Sequence, residues 1–114
     1  MRNDKPNLIV DLTFEFSIKI IQFTEILSKK NKKVVANQLL KSGTSIGANT
    51  WEAQNAESKK DFIHKFKIAA KEADESMYWL KICERAPSYP YNAELLIDLE
   101  AIIKIISKII GSSK

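Results

Sequence analysis

His64 is the one histidine in 114 residues, so nucleophilic chemistry of the serine or cysteine type has a single side chain to act as its base. It stands in Asp61-Phe62-Ile63-His64, an acid three residues before a histidine. A dinuclear metal site in a helical bundle takes a Glu-x-x-His pair from each of two helices and carboxylates from the others. Nothing elsewhere in the chain matches the pattern, and Cys83 stands alone, so the ligand supply falls short for a di-metal or a zinc centre. The plain reading of His64 is a neutral, solvent-exposed side chain. Glu52, Glu72 and Glu75 can be drawn as paired acids, yet carboxylates on neighbouring helices more often meet Lys, Arg or helix-end amides. Gly43 and Gly47 have neither the glycine count nor the Lys-Ser/Thr ending of a phosphate loop. These residues predict no catalytic site, no cofactor and no bound metal.

Lys29, Lys30, Lys32 and Lys33 place four positive charges within five residues, a density that attracts phosphates in a salt-dependent way. A solvated connection between helices is the competing reading, and a ring of copies repeating the cluster would strengthen the functional one. RNA or DNA is therefore the candidate ligand. Trp51 lies in line with Leu40 and Gly47, away from the Leu39 and Ile46 stripe, and Trp79 shares a side face with Ile68 and Ile82. Apolar residues outside the main seam commonly bury against another subunit, which makes Trp51, Ile68, Trp79 and Ile82 candidate oligomer contacts. A broad intramolecular core is the alternative.

The elements that must position these residues follow from hydrophobic spacing. The composition, 45% hydrophobic with three glycines and three prolines, is that of a globular chain, and one domain spanning 1–114 can bury about two-thirds of its unfolded surface. Val10 to Ile20 alternates like a strand, but Ile9, Leu12, Phe16, Ile20, Phe23 and Leu27 keep steps of three and four for five turns, which predicts a helix over about 8–28. Val10, Phe14, Ile18 and Ile21 form a second stripe, implying burial on two sides. After the lysine run, Val35, Leu39, Ile46 and Ala53 predict a helix over 34–57, with Gly43 and Gly47 on one face where a neighbouring backbone can come close. Ser58 with Asp61 reads as a variant capping box for a helix over 59–86, carrying Phe62, Phe66, Ala69, Ala73, Met77 and Leu80. Pro87 and Pro90 stop it, and Asn92 caps a last helix over 92–110 with Leu95, Leu99, Ile102, Ile106 and Ile109 at heptad spacing.

Four amphipathic helices with short connections predict an all-α, antiparallel up-and-down four-helix bundle. The polar start does not resemble a signal peptide, no apolar run reaches the roughly 20 residues a membrane span needs, and no disulfide can form within the chain. A cytoplasmic protein without membrane association is expected. The net charge of +4 favours anionic partners.

The segment "SIGANTWEAQNAESKKDFIHKFKIAAKEADESMYWL", Ser45 to Leu80, resembles the signature of the four-helix bundle proteins encoded within bacterial large-subunit ribosomal RNA genes, the 23S rRNA intervening sequence proteins. Matching positions are Ser45, Ile46, Ala48, Asn49, Glu52 and Ala53, then Ser58, Phe62, Ala69, Lys71, Glu72, Tyr78, Trp79 and Leu80. Thr50-Trp51 and Gly47 depart from the pattern, and Trp51 can alter a local interface. The resemblance implies a left-handed bundle that assembles as a cyclic oligomer, a pentamer, with no known catalytic activity. A distantly similar protein serves diversity-generating retroelements, where it binds a reverse transcriptase and nucleic acid through a basic surface.

Together these readings predict a non-enzymatic oligomeric scaffold that binds RNA or DNA through a basic surface. The alternative is a protein-interaction adaptor that grips a partner enzyme without touching nucleic acid.

Overall fold

In the computed structural model, which describes residues 7–113, Leu8–Lys29 is one uninterrupted helix, α1, so the strand-like alternation is overridden by the three-and-four stripe. Ile9, Phe16, Ile20, Phe23 and Leu27 of that stripe are buried and Leu12 is partly so. The second stripe behaves differently. Val10 is buried, but Phe14 and Ile21 are 51% and 44% exposed, because one chain supplies too few neighbouring helices to cover both sides of α1.

Three further helices follow: α2 (Lys33–Ala53), α3 (Lys59–Arg85) and α4 (Ala93–Ser113), and no strand occurs among the described residues. α1 packs on α2, α2 on α3, α3 on α4 and α4 on α1, while the backbones of the diagonal pairs stay apart among the described residues. The result is a rod of about 45 × 22 × 21 Å. Phe16, Ile20, Leu27, Leu39, Ile46, Phe66, Leu80, Leu95, Leu99, Ile102 and Ile106 fill its axis and are essentially solvent-free.

The connections are built by backbone hydrogen bonds that close the helix ends. At the end of α1, the Lys32 N–H donates to Leu27 O at 2.9 Å and the Asn31 N–H to Ser28 O at 3.0 Å, with Asn31 in the left-handed region at φ 63°. That pair of bonds is a Schellman closure in which asparagine takes the place usually held by glycine. α2 stops at Ala53, earlier than the expected 57, because Gln54, Asn55 and Ala56 each bond three residues back and tighten the last turn.

Ser58 Oγ then accepts from the Asp61 N–H at 3.0 Å, and Asp61 Oδ2 accepts from the Glu57 N–H at 3.2 Å, so the reciprocal bond reaches one residue before the cap. Between α3 and α4, Pro87 and Ser88 are the central residues of a turn closed by the Tyr89 N–H to Ala86 O at 3.3 Å; Ser88 has φ 68°, as a type II turn requires. Asn92 Oδ1 accepts from the Leu95 N–H at 3.1 Å and opens α4.

Buried side-chain nitrogen and oxygen atoms are all partnered among the described residues. Thr13, Thr24 and Thr50 return their hydroxyls to the carbonyls of Ile9, Ile20 and Ile46 at 2.8, 2.9 and 2.9 Å. Ser76 Oγ meets Ser42 Oγ at 2.9 Å between α3 and α2. On the surface, Lys19 Nζ lies 2.7 Å from Glu94 and 2.9 Å from Asp98, tying α1 to α4. Hydrogen bonding to Glu94 and then to Asp98 holds that ammonium's pKa well above the ordinary lysine value.

Candidate nucleic-acid interface

Lys29 and Lys30 sit at the carboxyl end of α1, where positive charge complements the helix dipole. Lys32 and Lys33 sit at the amino end of α2, where it does not. That end has Lys32 at the cap position with no side-chain cap bond, and no acidic residue in its first turn. Its free N–H groups and the lysines beside them both favour an anion. Lys29, Lys30 and Lys33 are exposed, and among the described residues none of the four lysines is in an ion pair.

Lys32 is half-buried, because its ammonium lies 4.9 Å from the centroid of the Tyr89 ring. Tyr89 belongs to the connection between α3 and α4, so this contact puts that connection at the same end of the rod as the lysine turn. Tyr91, 47% exposed, stands two residues on, and its hydroxyl is raised above the ordinary tyrosine pKa by desolvation and then by Glu84. The aromatic neighbour of the lysines is not legible in the sequence. The signal available is the Tyr89-Pro90-Tyr91 segment itself, but nothing local ties it to residue 32. A groove of about 270 Å³ leads from the turn between α1 and α2, lined by Lys29, Ser28 and Asn37 with Glu25 among them.

The sequence profile of the 23S rRNA-intervening sequence proteins matches residues 5–112. The chain belongs to the 23S rRNA-intervening sequence protein family. It is similar to a solved protein of unknown function from the S23 ribosomal protein family of Bacteroides thetaiotaomicron, at 38% identity and a TM-score of 0.83 over 90% of this chain and 97% of that one. Among curated proteins no match is found. Membership of the 23S rRNA-intervening sequence family thus carries the four-helix fold, and function must be argued from the sites.

The other candidate residues of this family member fall in separate places. Trp51 is 42% exposed, with its ring centroid 6.2 Å from that of Phe14 across α1 and α2. Ile68, Trp79 and Ile82 are half-buried on α3; Trp79 and Ile82 lean on the core, and Trp79 Nε1 donates to Glu75 Oε2 at 3.2 Å. Glu52 accepts from Lys65 at 2.8 Å, which raises the Lys65 pKa and occupies that carboxylate. His64 is exposed. Among the described residues, no group of three or more His, Cys, Asp or Glu side chains is placed to hold a metal, and no helix is long and apolar enough to cross a membrane.

Proposed function

We propose that this chain is a non-enzymatic, oligomeric scaffold that binds RNA or DNA through the turn between α1 and α2. The observation that carries the reading is the start of α2, where Lys32 and Lys33 stand against the helix dipole with no acidic residue in the first turn and no side-chain cap. Such an arrangement costs stability in the free protein and is relieved by a bound phosphate.

An antiparallel up-and-down order within the bundle is supported by side-chain pairings. Asn7 bonds Gln54, Phe14 faces Trp51 and Ile20 packs on Gly43, so partner numbers in α2 fall as those in α1 rise. A left-handed turn and a cyclic, pentameric assembly complete the proposal by family likeness. Assembly is supported by the apolar groove of about 300 Å³ between α1 and α2, lined by Phe14, Ile21, Gly47, Ala48 and Trp51. Ile68, Trp79 and Ile82 stay as a second proposed interface.

Replacing Lys29, Lys30, Lys32 and Lys33 by glutamine tests the nucleic-acid reading. For a fluorescent single-stranded RNA, the slope of log affinity against log salt should flatten by about 0.7 for each phosphate that is no longer neutralised. An unchanged affinity and slope would remove the turn from the interface. Light scattering tests the assembly: a mass several times the 13.0 kDa of one chain is expected, and a monomer at all concentrations would end the scaffold reading.

The same apolar groove favours the adaptor reading if its occupant is a different protein. That reading requires stoichiometric binding of a purified partner that survives high salt and is abolished by Phe14→Glu, together with no RNA binding at low salt.

A further inference from the structure

A second basic surface lies about 30 Å from the lysine turn, the length of α2. The start of α3 and the end of α4 enclose a groove of about 510 Å³ lined by Lys59, Lys60, Ile63, His64, Lys67 and Ser113. The three lysines and His64 are exposed, and among the described residues no Asp or Glu lines the groove. Ion pairs involving lysine occur at Lys19, Lys65 and Lys81, and among the described residues none claims Lys59, Lys60 or Lys67. The acid of the first turn of α3, Asp61, is committed to the Glu57 N–H.

We propose that this groove is a second nucleic-acid site, which takes the phosphodiester backbone of a single strand. Charge complementarity selects the ligand: three ammonium groups that form no ion pair among the described residues outnumber the one first-turn acid, Asp61, and so attract a polyanion and release its counterions. The shape selects a strand over a compact phosphate. Lys60, His64, Lys67 and Lys71 are all exposed and follow one another by four, three and four residues, so the basic line leaves the groove and continues along α3. The steps advance about 4.5–6 Å along the helix, on the scale that separates neighbouring phosphates of a single strand. The aliphatic stems of the lysines and Ile63 give the groove an apolar floor on which a sugar or base can rest.

The site is independent of the lysine turn, and the test separates the two. Affinity for a fluorescent 20-nucleotide RNA is measured against salt for the parent protein and for K59Q/K60Q/K67Q, with retention of fold checked by circular dichroism. A control, K41Q/K81Q/K104Q, removes the same charge elsewhere. The groove variant should lose about tenfold or more in affinity at low salt and flatten the salt slope by about 2, with the control changed far less. Inorganic tripolyphosphate should compete only weakly.

Parent-like binding by the groove variant, or an equal loss in the control, overturns the proposal. So does tripolyphosphate competing as well as the RNA phosphate for phosphate, which would make the groove a compact anion site. A groove variant that fails while the K29Q/K30Q/K32Q/K33Q protein binds normally would leave this site standing and remove the one at the turn; the opposite pattern would do the reverse.

Discussion

Gly47 of α2 lies against the backbone of Thr13 in α1: a β-carbon at residue 47 would sit 3.0 Å from the Thr13 carbonyl oxygen and 2.9 Å from Ser17 Oγ. Ser17 itself donates to that carbonyl at 2.9 Å, so the side chain cannot swing away without losing its bond. Gly47→Ala gains about 1 kcal/mol of helix propensity but forces apart two helix backbones, an overpacking that costs about 1–3 kcal/mol. The variant should melt at a lower temperature than the parent by circular dichroism. Gly111→Ala, where nothing lies within 4 Å, should melt no lower than the parent. A rise in melting temperature for Gly47→Ala would show that α1 and α2 separate freely at this point.

Asn31 and Ser88 hold the left-handed conformation at φ 63° and 68°. For residues with a β-carbon this costs about 1–2 kcal/mol, less for asparagine, whereas glycine adopts it freely. Asn31→Gly and Ser88→Gly should each stabilise by about 0.5 kcal/mol in urea titrations, after the larger chain entropy of glycine is deducted. Asn31→Val should destabilise, since a β-branched residue opposes the Schellman closure. Loss of stability in both glycine variants would contradict the turn geometries.

The Ser42 and Ser76 hydroxyls, 1% and 0% exposed, share a bond across α2 and α3. Ser76→Ala removes the partner and leaves Ser42 with only a 3.5 Å approach to Leu39 O, so a loss of about 1–2 kcal/mol is expected. Replacing both by alanine removes both desolvated groups together. The double variant should therefore cost less than the sum of the single ones, and strict additivity in the mutant cycle would deny the coupling.

Burial pushes the Cys83 thiol up from its ordinary 9.0 to about 11. The raised pKa means that between those values the native state keeps a proton that the unfolded state has released. Stability should therefore be unaffected by this group below about pH 9 and should decline as pH rises toward 11. Cys83→Ala should flatten that part of the pH profile. In native protein at pH 8 the thiol should react with a disulfide reagent only as fast as the fold opens, and rapid labelling would place it at the surface instead.

The number of helices and most of their ends were legible in the sequence because those features are local. But α4 runs through Gly111 to Ser113 and not to the expected 110, since one glycine with open space around it lowers helix propensity without breaking the helix. The step-three-and-four stripe of Phe16, Ile20, Phe23 and Leu27, the Ser58 cap and the Asn92 cap each act within one helix or one turn, and the structure shows each in that role. Even the early stop of α2 is local, since bonds from Gln54, Asn55 and Ala56 to residues three back displaced the expected end. The lysine run was readable as charge, because four adjacent like charges need no fold to be recognised.

Which faces meet was decided in three dimensions. α1 carries two apolar stripes of similar strength, and only the packing of α2 and α4 selects the Phe16 side as core and leaves Phe14 and Ile21 outside. The Gly47 approach to Thr13, the Tyr89 ring beside Lys32, and the meeting of Lys59, Lys60 and Lys67 with the end of α4 join residues far apart in the chain. Periodicity gives each helix a face but no partner and no axial register. Those come from burial and close packing summed over all four helices at once, and so they appear only in the folded molecule.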